Sequence, residues 1–120
     1  MNIDLARRFI DAVLRRDYDA ASACFHPDVT TKWPRGTLHG AAASRRALEQ
    51  ATGGYEQIDV GISAPEFQRA DDEIVVRTHE VGRWRDSGEA AFEGNFVFRL
   101  TIEGGAITRL ILMPEFPKRD

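Results

Sequence analysis

Cysteine is nearly missing from this sequence. A single residue, Cys24, excludes an internal disulfide and any cysteine-based zinc site. Histidine is scarce too: His26, His39 and His79 show no spacing of the H-E-x-x-H kind, so no metal is expected. There is no basic excess, with Lys+Arg 16 against Asp+Glu 19 and a net charge of -3, which argues against nucleic acid as a partner. No apolar run approaches the roughly 18 residues that a membrane helix needs. The opening Met1-Asn2-Ile3-Asp4-Leu5-Ala6-Arg7-Arg8-Phe9 mixes charge into its first turns, unlike a secretion signal, so no membrane association and a cytoplasmic location are expected. Repeats, low-complexity tracts and linkers are absent as well, which leaves one domain over residues 1–120. What is present is ordinary for a globular protein: 42% hydrophobic and 29% charged residues. A chain of this length buries roughly two thirds of its unfolded surface without metal or disulfide.

Leu5, Ala6, Phe9, Ile10, Val13 and Leu14 recur at helical spacing opposite Arg7, Arg8, Asp11, Arg15 and Arg16, predicting an amphipathic first helix. Asp17-Tyr18-Asp19 breaks it and supplies carboxylates to cap a short second helix through Phe25, stopped by Pro27. Cys24, among small residues there, reads as packing rather than as a nucleophile. Val29 to Trp33 is a short strand ended by Pro34-Arg35-Gly36, and Ala41 to Ala51 is a third helix closed by Gly53-Gly54. His26 is expected to cap a helix end and His39 to lie in a loop. From Ile58 onward the pattern alternates: strands at 58–64, 74–85, 90–102 and 106–113 form a four-stranded antiparallel meander, with the helices on one face.

Two loops decide which residues face inward. If Asp86-Ser87-Gly88 is a three-residue loop, Arg85 lies opposite Glu89, and even-numbered residues face even-numbered ones. Trp84, Gly82, Glu80, Thr78, Val76 and Ile74 then share a face with Phe92, Phe96 and Phe98. Treating Glu103-Gly104-Gly105 in the same way adds Thr108, Leu110 and Leu112. On the outer face, Val75, Val81, Val97, Ile107, Ile111 and Met113 mix with Arg77, Arg83, Arg99 and Arg109.

In this order of elements the chain resembles the nuclear transport factor 2-like superfamily, and within it the small bacterial SnoaL-like and ketosteroid isomerase-like proteins. The stretches that carry the resemblance are Arg8-Phe9-Ile10-Asp11-Ala12-Val13-Leu14-Arg15-Arg16-Asp17, Ala23-Cys24-Phe25-His26-Pro27-Asp28-Val29, the helix start at Gly40, and Phe98-Arg99-Leu100 with Gly104-Gly105-Ala106-Ile107-Thr108-Arg109. The resemblance implies an α+β fold of cystatin-like, SnoaL-like barrel type, in which a strongly curved antiparallel sheet forms a cone around N-terminal helices. It also implies a cone mouth that binds small apolar molecules, and a homodimer through the sheet face, where the mixed outer residues would meet a second chain. In ketosteroid isomerases an oxyanion hole of tyrosine and aspartic acid works with an aspartate base. The matching positions here are Phe9, Phe96 and Trp33, which argues against that chemistry.

Glu80 is the leading catalytic candidate. It points into the apolar face opposite Gly94, where desolvation should raise its pKa toward the range of a neutral-pH acid or base. A solvated or arginine-paired glutamate at the sheet rim is the structural alternative. His79 alternates outward but would enter if the register slipped by one, and Thr78 could orient a ligand carbonyl. Phe9, Trp33, Trp84, Phe92, Phe96, Phe98, Leu110 and Leu112 either line a ligand cavity or fill a core. Tyr18, Tyr55 and Thr108 are further hydroxyl candidates. Glu115 lies where some SnoaL-like cyclases carry a catalytic aspartate. The functional expectation is a small-molecule pocket protein that moves a proton on an apolar carbonyl or polyketide-like metabolite without a cofactor. The alternative is a noncatalytic binding or dimerisation module.

Overall fold

The computed structural model describes residues 3–115. Helix α1 spans Ile3–Leu14 and buries Ala6, Phe9, Ile10, Ala12 and Val13, the apolar stripe of its sequence. Helix α2 is shorter than its pattern predicts, Tyr18–Ser22, with the Asp17 carboxylate accepting from the Ala20 amide at 3.1 Å. Phe25 belongs instead to strand β1, Phe25–Trp33, which carries Pro27 within it. His26 caps no helix, and its Nδ1 accepts the Asp28 amide at 3.0 Å. His39, expected in a loop, ends strand β2, Gly36–His39, which pairs antiparallel with β1 so that His39 sits opposite Thr30. Helix α3 covers Ala41–Thr52 between Gly40 and Gly53, as its pattern predicts.

Strands β3 (Ile58–Ala70), β4 (Glu73–Trp84), β5 (Ala90–Glu103) and β6 (Ala106–Glu115) form the meander. The sheet has six strands, because β1 and β2 join the four of the meander in the order β2-β1-β6-β5-β4-β3, and it is not wholly antiparallel: β1 runs parallel to β6. A lone parallel pair has no hairpin signature, because its partners are distant in sequence. The fold is nevertheless the expected α+β type, an unclosed curved sheet holding the N-terminal helices.

Both loops that were used to set the register are built differently from expectation. The first hairpin turns between Trp84, whose amide bonds the Glu89 carbonyl at 2.9 Å, and Gly88, so it is one residue longer. The second is a two-residue turn, with Gly104 and Gly105 at φ 59° and 78° between Glu103 and Ala106, which suits the mirror-image hairpin turn that only glycine adopts easily. Either change alone would exchange the two faces of the sheet. A β-bulge beside each turn cancels it: Ala91 is the extra residue between the Gly82–Phe92 and Arg83–Ala90 pairs, and Thr108 between the Thr101–Arg109 and Ile102–Ile107 pairs. Glu80 therefore does lie opposite Gly94 and Thr78 opposite Phe96, while Phe98 lies opposite Leu112, two residues beyond the partner that the expected loop gives, with the faces unchanged. The bulge also turns Ile107 inward, where it is fully buried, correcting its assignment to the outer face. Thr108 is spent on the backbone, donating to the Thr101 carbonyl at 3.3 Å.

A third shift, at Ala64 and Pro65, bends β3, with Ala64 at φ 52°. Bulges bend a strand and tighten its twist, so these three, with the irregularity in β1 between Phe25 and Thr30, are what curl the sheet. Its concave face closes on α1. Phe9 meets Phe98 edge-on at 6.3 Å and Phe25 at 5.7 Å, with Val13, Val29, Val76, Leu100, Leu110 and Leu112 packed around them.

Candidate functional site

The core does not fill the whole concave face. Beyond Phe96 and Leu112 a cavity of about 730 Å³ opens, lined by Trp33, Pro34, Arg35, Gln50, Ala51, Tyr55, Glu80, Ala91, Phe92, Glu93, Phe96, Leu112 and Pro114. That volume lies within the range of small-molecule sites, and the walls are mostly apolar, as such sites are. β1 and its turn supply Trp33 to Arg35, α3 supplies Gln50 and Ala51, and β4 to β6 supply the rest.

Glu80 lies deepest among the ionisable groups of this wall. Only 4% of the residue is exposed, and among the described residues nothing donates to its carboxylate. Burial alone pushes its pKa from 4.5 to about 7, because the charged form loses water and gains no compensating charge. Its neighbours explain how the sheet accommodates it. Gly94, the residue across the strand, has no side chain, and at Gly82, the next inward position of β4, the Phe92 ring lies across the bare backbone. A Cβ added at Gly82 would overlap that ring. Gly82→Ala should therefore swing Phe92 and reshape the cavity, at a stability cost of roughly 1–3 kcal/mol. Urea denaturation together with the chemical shifts of Phe92 measures both effects.

Of the sequence-predicted lining residues, Trp33, Phe92, Phe96, Leu112 and Glu80 meet at the cavity. Phe9, Phe98 and Leu110 do not: they are fully buried in the core behind it, where α1 covers the sheet. Trp84 is 42% exposed and lies outside the wall. Thr78 is buried below Glu80, and its hydroxyl donates to the Phe96 carbonyl at 2.7 Å, so it supports the wall rather than reaching the cavity. His79 faces the other side of the sheet, where its Nε2 bonds the Glu93 carboxylate at 2.9 Å, and it is removed from the acid–base candidates. Glu93, which also borders the cavity, is the partner in that bond. Glu115 likewise faces out, against Arg77 at 3.3 Å. The Tyr18 hydroxyl is engaged with Thr52 at 2.8 Å, tying α2 to α3. Cys24 is buried, and burial pushes its thiol pKa up, which suits packing. Among the described residues no group of three or more His, Cys, Asp or Glu side chains is placed to hold a metal.

Pro34, Arg35, Gln50, Ala51, Ala91, Glu93 and Pro114 are wall residues that the sequence does not single out. Pro34-Arg35-Gly36 carries only a turn signal, and Gln50 only a helix signal; no periodicity reports that a β-turn and a helix end meet over a sheet. Tyr55, 57% exposed at the cavity rim, is the one hydroxyl candidate that the structure does bring to the wall.

A curved, unclosed sheet folded over N-terminal helices is the fold that this chain shares with solved proteins called nuclear transport factor 2-like. The SnoaL-like domain family matches residues 6–110, and the chain belongs to that family. Solved structures agree on the fold. A nuclear transport factor 2-like protein from Burkholderia xenovorans LB400 is 23% identical with a TM-score of 0.71, covering 95% of this chain and 88% of that one. A proposed polyketide cyclase from Xanthomonas campestris pv. campestris is 17% identical with a TM-score of 0.74, covering 92% and 87%. TerC, co-crystallised with polyporic acid, is 24% identical with a TM-score of 0.70, covering 95% and 91%. A comparison with curated proteins finds no match. Among the described residues no helix is long and apolar enough to cross a membrane.

Proposed function

We propose that this protein binds a small apolar carbonyl compound, of the polyketide-like class, and moves a proton on it with Glu80. The observation that carries the reading is a lone buried carboxyl in the wall of an apolar cavity, poised near pH 7. A carboxyl so placed is populated in both forms at neutrality, the condition under which general acid–base catalysis is most effective. In its ionised form Glu80 takes a proton from the carbon beside the carbonyl, and the C–H electron pair moves into the enolate. In its protonated form it returns that proton to another carbon, completing an isomerisation with no cofactor and no net change in atoms. Trp33, Phe92, Phe96 and Leu112 hold the apolar body of the ligand. Family membership and the fold shared with a proposed polyketide cyclase support the substrate class, and the co-crystallisation of TerC with polyporic acid supports a small-molecule occupant.

The second reading, a noncatalytic binding module, is favoured by one feature: Thr78 is bonded to Phe96 and His79 lies outside, so neither of the groups expected to help Glu80 polarise an oxygen is in the wall. Exchange of the α-protons of 2-tetralone in D2O, followed by NMR, separates the two. Acceleration by the protein that Glu80→Gln removes supports proton transfer, whereas saturable binding without acceleration establishes the module.

The same proposal includes a homodimer and a cytoplasmic location, the latter suited to the unpaired Cys24. On the outer face Met113 is 50% exposed near half-buried Val75, Val81 and Ile111, with Arg77 and His79 among them. A second copy of the sheet would cover these residues. Sedimentation equilibrium should give twice the chain mass, and Val81→Glu with Met113→Glu should halve it. A wild-type monomer at micromolar concentration overturns the dimer.

A further inference from the structure

Among the described residues the cavity wall carries one cation, Arg35. It occupies the two-residue turn between Trp33 and Gly36, where Pro34 fixes the preceding backbone torsion and so limits where the guanidinium can go. The group lies 5.4 Å above the Trp33 ring, and its Nη1 donates to Gln50 Oε1 at 3.5 Å, a neutral acceptor at the outer limit of hydrogen bonding. Arg15, Arg45, Arg77, Arg85 and Arg99 each face a carboxylate within 4 Å. Arg35 faces none within 4 Å among the described residues, and Glu93, which also borders the cavity, is bonded to His79. A guanidinium stacked on an aromatic ring presents a planar fork of donors, and planar oxyanions are the partners that fork matches best.

We infer that the cavity takes a planar, ring-bearing organic anion, whose carboxylate or acidic enolate is held by Arg35 at the mouth while its rings lie against Trp33, Phe92 and Phe96. The inference rests on the proposed role of this cavity as a ligand site and narrows its substrate class. Arg35 is the specificity residue of the mouth, distinct from Glu80 deeper in the wall. Uncharged ketones of the same size would enter but bind more weakly, because they leave the fork without an anion.

Calorimetric titration at pH 8 with 2-naphthoate and with its neutral isostere 2-naphthamide tests this, using the Trp33 indole N–H in NMR spectra to report the site. Naphthoate should bind about tenfold or more tightly than naphthamide. Arg35→Gln should bring the ratio close to one by weakening naphthoate alone, while Arg109→Gln, which removes an exposed arginine outside the cavity, should leave it unchanged. Glu80→Gln should keep the preference. Equal binding of both probes by the wild type, or a preference that survives Arg35→Gln, overturns the anion inference and leaves the cavity reading standing. If neither probe binds nor shifts Trp33, the cavity reading falls and this inference with it.

Discussion

Glu80→Gln should make the protein more stable above pH 7 and, on the proton-transfer reading, inactive. Glu80 has a pKa of about 7 when folded, against 4.5 for the unperturbed group. Between those values the folded chain holds a proton that the unfolded chain has released, so stability falls as pH rises through this window. Below pH 4.5 the carboxyl is neutral in both states and its full contribution is present; above pH 7 the fold carries a desolvated charge. Discounted for the remaining solvent screening of the carboxylate, a difference of that size corresponds to about 2 kcal/mol at pH 8. Glutamine has the same shape and no charge to desolvate, so the variant should gain most of this at pH 8 and almost nothing at pH 4, a Tm difference of roughly 10 °C at the higher pH. The measurement is the difference in unfolding free energy between variant and wild type from pH 4 to 9, which removes contributions from other groups. A flat difference would mean that water or a partner reaches the carboxylate and that its pKa is ordinary. The same substitution should slow α-proton exchange by about 10²–10⁴-fold, the usual contribution of a positioned acid or base. A residue that stabilises when neutralised yet is needed for turnover marks a functional site rather than a structural one.

Phe98→Ala should destabilise the protein by about 3–5 kcal/mol, a large part of the total stability of a domain this size. Phe98 is fully buried, with Phe9 of α1 edge-on at 6.3 Å and Phe96 at 4.9 Å, so its ring joins the helix layer to the sheet. Removing it opens a void that neither layer can close without moving α1 off the strands. The urea midpoint should drop with an unchanged m-value. Phe96→Ala should cost less, because Phe96 also borders the cavity and its loss enlarges a space already open. Equal costs for the two would show that the cavity closes around its wall in solution.

The amphipathic stripe of α1, the run of Ala41 to Ala51, and the alternation from Phe92 to Ile102 were legible because each is a local period that burial imposes on neighbouring residues. The inward placement of Glu80, Phe92 and Phe96 is also legible, although the turns are not built as their residues suggest. Each hairpin loop differs by one residue from the length assumed, and the bulges at Ala91 and Thr108 restore the parity. A bulge has no reliable local signature, since any small or β-branched residue tolerates it; hence simple alternation puts Ile107 on the outer face while the bulge buries it. The pairing of β1 with β6 escaped for a related reason, as some 80 residues separate the strands and nothing in either names the other.

Sequence by itself determined the class of the protein: helices first, then a meander with one Phe-rich face holding a single glutamate, which are properties of residues close together in the chain. Only tertiary structure decided where the core ends and the cavity begins, putting Phe9 and Phe98 behind the wall and Arg35 and Gln50 in it. Whether a buried face is filled or left open depends on how far the sheet curls and which turn reaches over its edge, and both are sums over contacts between residues far apart in sequence.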